Sequence, residues 1–321
     1  MGNDWQELTV TCAPEAVEAV SEVMNRFAPG GVAIEEPYAL ADDGQEAVLV
    51  PGAPVTVRAY VSTGPHGAEA RAGIEEALWH VRQIGFGDVS EITTRTIAEE
   101  DWANAWKEHF HVLHLGRKTV IKPSWRDYTS QPGEIVVELD PGMAFGTGLH
   151  PTTRGCVLAL EEHLRSGDRV LDVGTGSGIL ALAALKLGAA SARALDVSPE
   201  AVDAARQNAA LNGLADRMSV ELATLEGATD GGHFPLPPGV AVLGPEIGTY
   251  EVVLANIIAR VIAQIAPALV RATRPGGVLI ASGIIEERRA EAEMALRRAG
   301  LIDVDAFIDG DWVTLTGRRP S

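Results

Sequence analysis

The sequence predicts an α/β protein in two parts, an α+β sandwich followed by a larger doubly wound parallel sheet. Three observations carry this. From Thr152 onward, apolar runs such as RVLDVG and VVLANI alternate with helix-length segments. A glycine-rich turn, GTGSG, joins one of those strands directly to a helix. Ahead of them, two helical patterns lie among strands in the order βαββαβ.

Residues 1–99 make the first part. DWQELTV is a strand. PEAVEAVSEVMNRFA spaces Val17, Val20, Met24 and Phe27 three to four apart, on one face of a helix. GGVAIEEP is a short strand, then come the turn-rich ADDGQEAVLVPGAP and the alternating strand VTVRAYVS. AEARAGIEEALWHVRQIG is a second helix, with Ile74, Leu78, Val81 and Ile84 on one face and Gly85 placed to end it. DVSEITTRTI closes the part as a strand. This order is that of a ferredoxin-like sandwich, which hosts many functions and so names none.

Residues 100–138 are a connector. EEDWANAWKEHF reads as a short helix with Trp102, Trp106 and Phe110 at four-residue spacing, a stripe suited to packing. In HFHVLH, His109 and His111 would share a strand face. No Cys lies near and no Glu-x-x-His pattern occurs, so no metal site is expected. The strands KTVIKPSW and GEIVVELDPG lead into LDPGMAFGTGLHPTTR. That stretch holds too much Gly and Pro for regular structure, yet carries Met143, Ala144 and Phe145 in its middle.

Residues 139–321 make the second part. TTRGCVLALEEHL is a helix with Thr152 or Thr153 near its N-cap. RVLDVG is a strand, and GILALAALKLGA a helix apolar almost all round, hence buried on more than one side. After the strand ARALDV, Ser198 caps the helix PEAVDAARQNAAL, with Pro199 first, Glu200 in the first turn and Gly213 beyond its end. MSVELA and YEVVLANI are strands, separated by a long Gly- and Pro-rich excursion from Thr224 to Glu251. IIARVIAQIAPALVRATRPGG is a helix ending at Pro275-Gly276, GVLIASGI a strand and EERRAEAEMALRRAG an amphipathic helix. IDVDAFID and DWVTLTGR close the chain as a hairpin through Gly310-Asp311.

Charge narrows the partners. Lys plus Arg number 26 against 44 Asp plus Glu, a formal charge of −18. Such a surface repels phosphate backbones, so no direct nucleic-acid contact is expected, while a lysine-rich protein is attracted. No apolar run approaches the ~20 residues of a membrane helix, and MGNDWQELTV has no signal-peptide pattern, so no membrane partner is expected. Gln6 breaks the myristoylation motif that Gly2 invites. Two distant cysteines, Cys12 and Cys156, form no disulfide framework and fit a reducing cytoplasm.

The chemistry gathers at strand ends in the second part. In LDVGTGSGIL, Asp172 ends a strand and Gly174, Gly176 and Gly178 follow, allowing a ligand close to the backbone. Asp196 ends the next strand, where a carboxylate accepts ribose hydroxyls. A dinucleotide turn needs glycine or alanine where Ile179 stands, which disfavours a NAD-dependent oxidoreductase. Asp172 sits poorly against a pyrophosphate but suits a cation, such as the amino group and sulfonium of S-adenosylmethionine. Asn256 ends the strand VVLAN; it could meet an amine there, or merely cap the next helix.

Together EDWANAWKEHF, LDPGMAFGTGLHPTT, LDVGTGSGILALAALKLGA, ALDVSPEAVDAARQNAALNG and VVLANI resemble the methyltransferases of large-subunit ribosomal protein eleven, the PrmA family. The resemblance spans both parts, and MAFGTGLHPTT is its most specific stretch. It implies a class I S-adenosylmethionine-dependent methyltransferase domain, Rossmann-like, behind the ferredoxin-like one. It implies that Thr153, Gly174, Asp196 and Asn256 contact S-adenosylmethionine, that Phe145 and its loop wall the site, and that the first domain grips the substrate protein. The implied reaction methylates lysine side chains and the N-terminal amine, several times per substrate, by a cytoplasmic monomer. A neutral amine attacks in line, and desolvation favours the neutral form of a lysine. No dedicated base stands out, so proximity and orientation carry the rate, with Asn256 the catalytic candidate. The excursion from Thr224 to Glu251 is longer than the family leads one to expect and reads as a surface feature. Other substrates stay open, another protein lysine or a small amine, as does a non-catalytic S-adenosylmethionine-binding module.

Overall fold

The structure, a computed structural model, describes residues 5–28, 32–35, 37–40, 47–50, 52–84, 88–97, 112–140, 150–228, 236–244 and 247–321. The chain divides into two compact units, Met1–His111 and Val112–Ser321.

In the first unit, β1 (Trp5–Cys12), β2 (Val32–Glu35), β5 (Val55–Ser62) and β6 (Thr93–Ile97) form one antiparallel sheet in the order β2-β5-β1-β6. Helices α1 (Val17–Phe27) and α2 (Pro65–Ile84) make the two crossovers, which gives the ferredoxin-like sandwich. Strand alternation sends Leu8, Val10 and Cys12 inward with Val57, Ala59 and Val61, against Val20, Met24, Ile74 and Leu78 of the helices. The opposite sheet face is polar. There Arg58 Nη1 donates to Glu7 Oε1 at 3.1 Å and the Tyr60 hydroxyl to Glu7 Oε2 at 3.2 Å. The turn-rich stretch after β2 holds a small antiparallel hairpin, β3 (Tyr38–Leu40) with β4 (Ala47–Leu49), which its Gly, Asp and Pro content hides. Gly85 and the expected helix with Trp102, Trp106 and Phe110 lie outside the described residues, as do His109 and His111.

The second unit opens with a small sheet, β7 (Leu113–His114), β8 (Thr119–Pro123) and β9 (Ile135–Leu139), in which β8 and β9 run parallel. Its turn is pinned by Glu161 on α3 (Pro151–His163). That carboxylate accepts the N–H groups of Arg117, Lys118 and Thr119 at 2.8–3.1 Å and the Thr119 hydroxyl at 2.7 Å.

The main sheet has eight strands: β10 (Arg169–Val173), β11 (Ser191–Asp196), β12 (Met218–Leu225), β13 (Ala241–Leu243), β14 (Tyr250–Asn256), β15 (Thr273–Ile285), β16 (Ile302–Asp309) and β17 (Trp312–Arg318). Their order is β13-β12-β11-β10-β14-β15-β17-β16, parallel except for β17, which runs antiparallel to both its neighbours. One face packs under α3, α4 (Ile179–Lys186) and α5 (Pro199–Leu211), the other under α6 (Ala259–Ala272) and α7 (Arg289–Arg298). The chain leaves β10 outward through β11 and β12, then returns to β14 on the other side of β10. The carboxyl ends of β10, β11 and β14 therefore flank the switch point where ligands bind in such sheets.

The N-cap of α3 is His150, with Pro151 and its fixed φ at the first helical position, so Thr152 and Thr153 stand near the cap as the sequence indicates. Two sequence expectations change. Helix α6 stops at Ala272 rather than Pro275, because a residue before proline is pushed from helical to extended backbone. The excursion from Thr224 to Glu251 is not only surface chain. It lays β13 parallel to the end of β12, pairing Ala241, Val242 and Leu243 with Ala223, Thr224 and Leu225.

Candidate functional site

The site is built on three strand ends. Along β10, Val170 points into the core under α3–α5, while Leu171 and Val173 point to the other face. Alternation thus puts Asp172 on Val170's side, at a position that would ordinarily be apolar. Asp172 is fully buried. Its Oδ2 accepts the Thr175 hydroxyl at 2.7 Å, and its Oδ1 has no hydrogen-bond partner among the described residues. Burial pushes its carboxyl up to about 6; the Thr175 hydroxyl and the Ala181 N–H oppose the rise, and the Asp196 charge adds to it. At neutral pH this leaves a buried anion with one oxygen unsatisfied, a costly arrangement that a cation against Oδ1 would relieve.

The turn after β10 reverses within five residues. Gly174, Gly176 and Gly178 have φ of 75°, 54° and 84°. A Cβ on Gly174 would also lie 2.2 Å from Ile257 Cγ2, so that position is closed to other residues. The Gly174 and Thr175 N–H groups donate to the Leu195 carbonyl at 2.8 and 3.0 Å, tying the turn to β11. Asp196, half-buried at the end of β11, accepts the Gly176 N–H on Oδ2 at 2.8 Å and the Ser198 N–H on Oδ1 at 3.0 Å. Each oxygen keeps a lone pair, so a vicinal diol can still donate to it. As the sequence indicates, Ser198 caps α5, its hydroxyl accepting the Ala201 N–H at 3.2 Å.

Asn256 is the last residue of β14, opposite Ser282 of β15. The N-cap of α6 is Ile258, which makes no side-chain cap bond, so Asn256 is not its capping residue. The chain bends here over Gly283, where a Cβ would come within 2.5 Å of the Ile257 carbonyl oxygen. Thr153 is buried in the first turn of α3. Just ahead of it, His150 Nδ1 lies 2.7 Å from Thr152 Oγ1, and the ring packs edge-on against Trp312. Burial lowers the His150 pKa, which keeps the imidazole neutral at physiological pH; its partial exposure limits the size of that shift. Cys156, buried under the sheet, is held as the thiol by burial and by the Asp172 charge. Phe145 lies outside the described residues.

Asp172, Gly174, Gly176, Asp196 and Asn256 thus meet at one sheet edge. Thr175, inside the glycine turn, Asn208, whose amide donates to the Ser177 carbonyl of that turn, and Gly283 belong to the same construction, though the sequence singles out none of them. Among the described residues no His, Cys, Asp and Glu are grouped to hold a metal ion, and no helix is long and apolar enough to cross a membrane.

The donor set fits S-adenosylmethionine on an observation independent of any relative: the unpartnered Asp172 oxygen suits a cation, with a diol acceptor at the neighbouring strand end. Comparison with known proteins points the same way. The family model described as ribosomal protein L11 methyltransferase (PrmA) matches residues 4–320. A ribosomal protein L11 methyltransferase of Chloroflexus aurantiacus is 45% identical over 328 residues, covering 98% of each chain. One from Herpetosiphon aurantiacus is 42% identical over 326 residues, covering 98% of this chain and 99% of that one. The crystal structure of the ribosomal protein L11 methylase of Lactobacillus delbrueckii subsp. bulgaricus is 34% identical, with a TM-score of 0.56, over 66% of this chain and 100% of that chain.

Proposed function

Since the chain belongs to the ribosomal protein L11 methyltransferase family, we propose that it transfers methyl groups from S-adenosylmethionine to lysine side-chain and N-terminal amines of ribosomal protein L11, in the cytoplasm. The observation that carries the cofactor is the buried oxygen of Asp172 that has no partner among the described residues. It would hold the cofactor's ammonium, and Asp196 its ribose hydroxyls. The backbone at Gly174 and Gly176 would lie alongside, with Thr153 and Phe145 as further contacts. When bound, S-adenosylmethionine supplies a methyl group activated by its sulfonium.

The chain's own residues supply position. The Asn256 side-chain amide stands at the strand end adjoining the Asp172 strand, two residues ahead of the N-cap of α6. Its carbonyl oxygen would accept an N–H of the incoming amine and so direct the nitrogen lone pair. A neutral amide holds an ammonium less strongly than a carboxylate would, and so withdraws less of the neutral, nucleophilic amine. No side chain is assigned as a proton acceptor, and orientation carries the rate. The first unit has a polar sheet face and no cofactor motif, and is assigned to gripping the substrate protein. The net charge of −18 favours a basic partner.

Calorimetry with S-adenosylhomocysteine and with NAD tests the cofactor. Binding of the first alone is expected. Mass spectrometry of ribosomal protein L11 after incubation with S-adenosylmethionine tests the substrate. Methyls on lysines or on the N-terminal amine support the reading, and an unmodified protein beside normal cofactor binding rejects it.

A further inference from the structure

Asn208 is fully buried on α5, a place where an amide needs a reason. Both ends of that amide are used. Nδ2 donates to the Ser177 carbonyl in the glycine turn at 2.9 Å, and Oδ1 accepts the Asp140 N–H, just past β9, at 2.8 Å. Four residues later Asn212 does the same for Glu138: Oδ1 accepts its N–H at 3.0 Å, and Nδ2 donates to its carbonyl at 2.6 Å. A spacing of four on a helix thus meets a spacing of two on a strand. The two amides act as a neighbouring strand for the edge of β9 that does not pair with β8. Only Asn208 also reaches the glycine turn.

That reach bears on the site. Ser177 follows Gly176, whose N–H fixes Asp196 Oδ2. Glycine backbone has wide freedom, so the peptide planes of this turn are set by the groups they bond to. We propose that Asn208 is a positioning residue for cofactor binding: by holding the Ser177 carbonyl, it keeps the Gly176 N–H on Asp196 and the turn in its binding shape. The inference rests on the cofactor reading above.

Asn208→Ala and Asn208→Asp are compared with Asn212→Ala. Ionised aspartate keeps the acceptor for the Asp140 N–H and sets an oxygen against the Ser177 carbonyl, so at high pH it breaks that contact while keeping the other. Both Asn208 variants are expected to raise the Kd for S-adenosylhomocysteine about five- to fifty-fold, the range of a local coupling. The KM for S-adenosylmethionine rises in step, while kcat stays within about twofold. In the ligand-free protein, amides 174–178 exchange hydrogen faster. Asn212→Ala lowers the melting temperature comparably but leaves Kd and turn exchange within about twofold of wild type. If Asn208→Ala does not fold, Asn208→Asp carries the test. Kd and turn exchange in the Asn208 variants indistinguishable from Asn212→Ala would overturn the proposal. Wild-type protein that binds no S-adenosylhomocysteine would remove the cofactor reading instead, and the exchange of the ligand-free turn would still decide whether Asn208 holds it.

Discussion

The two units place charge against their sheets in opposite ways. In the first, Glu7 is met on both oxygens, by Arg58 and by Tyr60. In the second, Asp172 is deeper, has one oxygen bonded to Thr175 and has no partner for the other among the described residues. A paired carboxylate on a polar face serves the fold. A buried carboxylate with an open oxygen works against the fold and for a ligand, the usual sign of a functional site.

Removing the first unit is the largest test of this contrast. A chain starting at Val112 is expected to keep S-adenosylhomocysteine binding and lose all measurable methylation of ribosomal protein L11. Full-rate methylation by a folded truncated protein would end the division of labour. Next comes Asn256. Asn256→Asp places a carboxylate where the amine must be neutral, so kcat should fall about tenfold or more at pH 7 and partly recover at high pH. Asn256→Ala should be slow at every pH. Wild-type turnover in both variants would sink the active-site role of Asn256.

The two aspartates of the site sharpen the comparison. Asp196→Ala should weaken S-adenosylhomocysteine binding by about 1.5–3 kcal/mol, the worth of hydrogen bonds to a charged group. Asp172→Asn should weaken it too, yet raise stability at pH 7 by about 1–3 kcal/mol, because a buried charge disappears. Glu7→Gln should do the reverse, lowering stability by about 0.5–1.5 kcal/mol and leaving binding alone. Denaturant titrations beside calorimetry separate these outcomes. If Asp172→Asn is both less stable and unaltered in binding, the carboxylate is structural.

The smallest effect is in pH. The folded pKa of Asp172 is raised from 3.8 to about 6. Its contribution to stability is therefore fully present below about pH 4 and is lost as pH rises through about 6. Affinity for a cationic group runs the other way. It is full above about pH 6 and falls up to tenfold per unit below it, as the free carboxyl takes a proton. Asp172→Asn should flatten both profiles, and a wild-type Kd unchanged between pH 5 and 7 would contradict the ammonium assignment.

Much of this molecule was legible in the chain because its signals are local. The GTGSG turn needs glycines whatever surrounds it, Ser198 caps its own helix, and the alternation in VTVRAYVS separates the two faces of a strand without outside help. Asp172 and Asp196 were readable because a strand end next to a glycine turn is a position in sequence as well as in space. What depended on distant partners was not readable. The bare oxygen of Asp172 follows from what packs over β10, and β13 forms only because the end of β12 offers a free edge. Asn256 loses its capping role only once α6 is seen to start beyond it. Asn208 looks in sequence like any polar residue of an amphipathic helix. Its partners, Ser177 and Asp140, lie 31 and 68 residues away, and the tertiary structure alone brings them within hydrogen-bond reach.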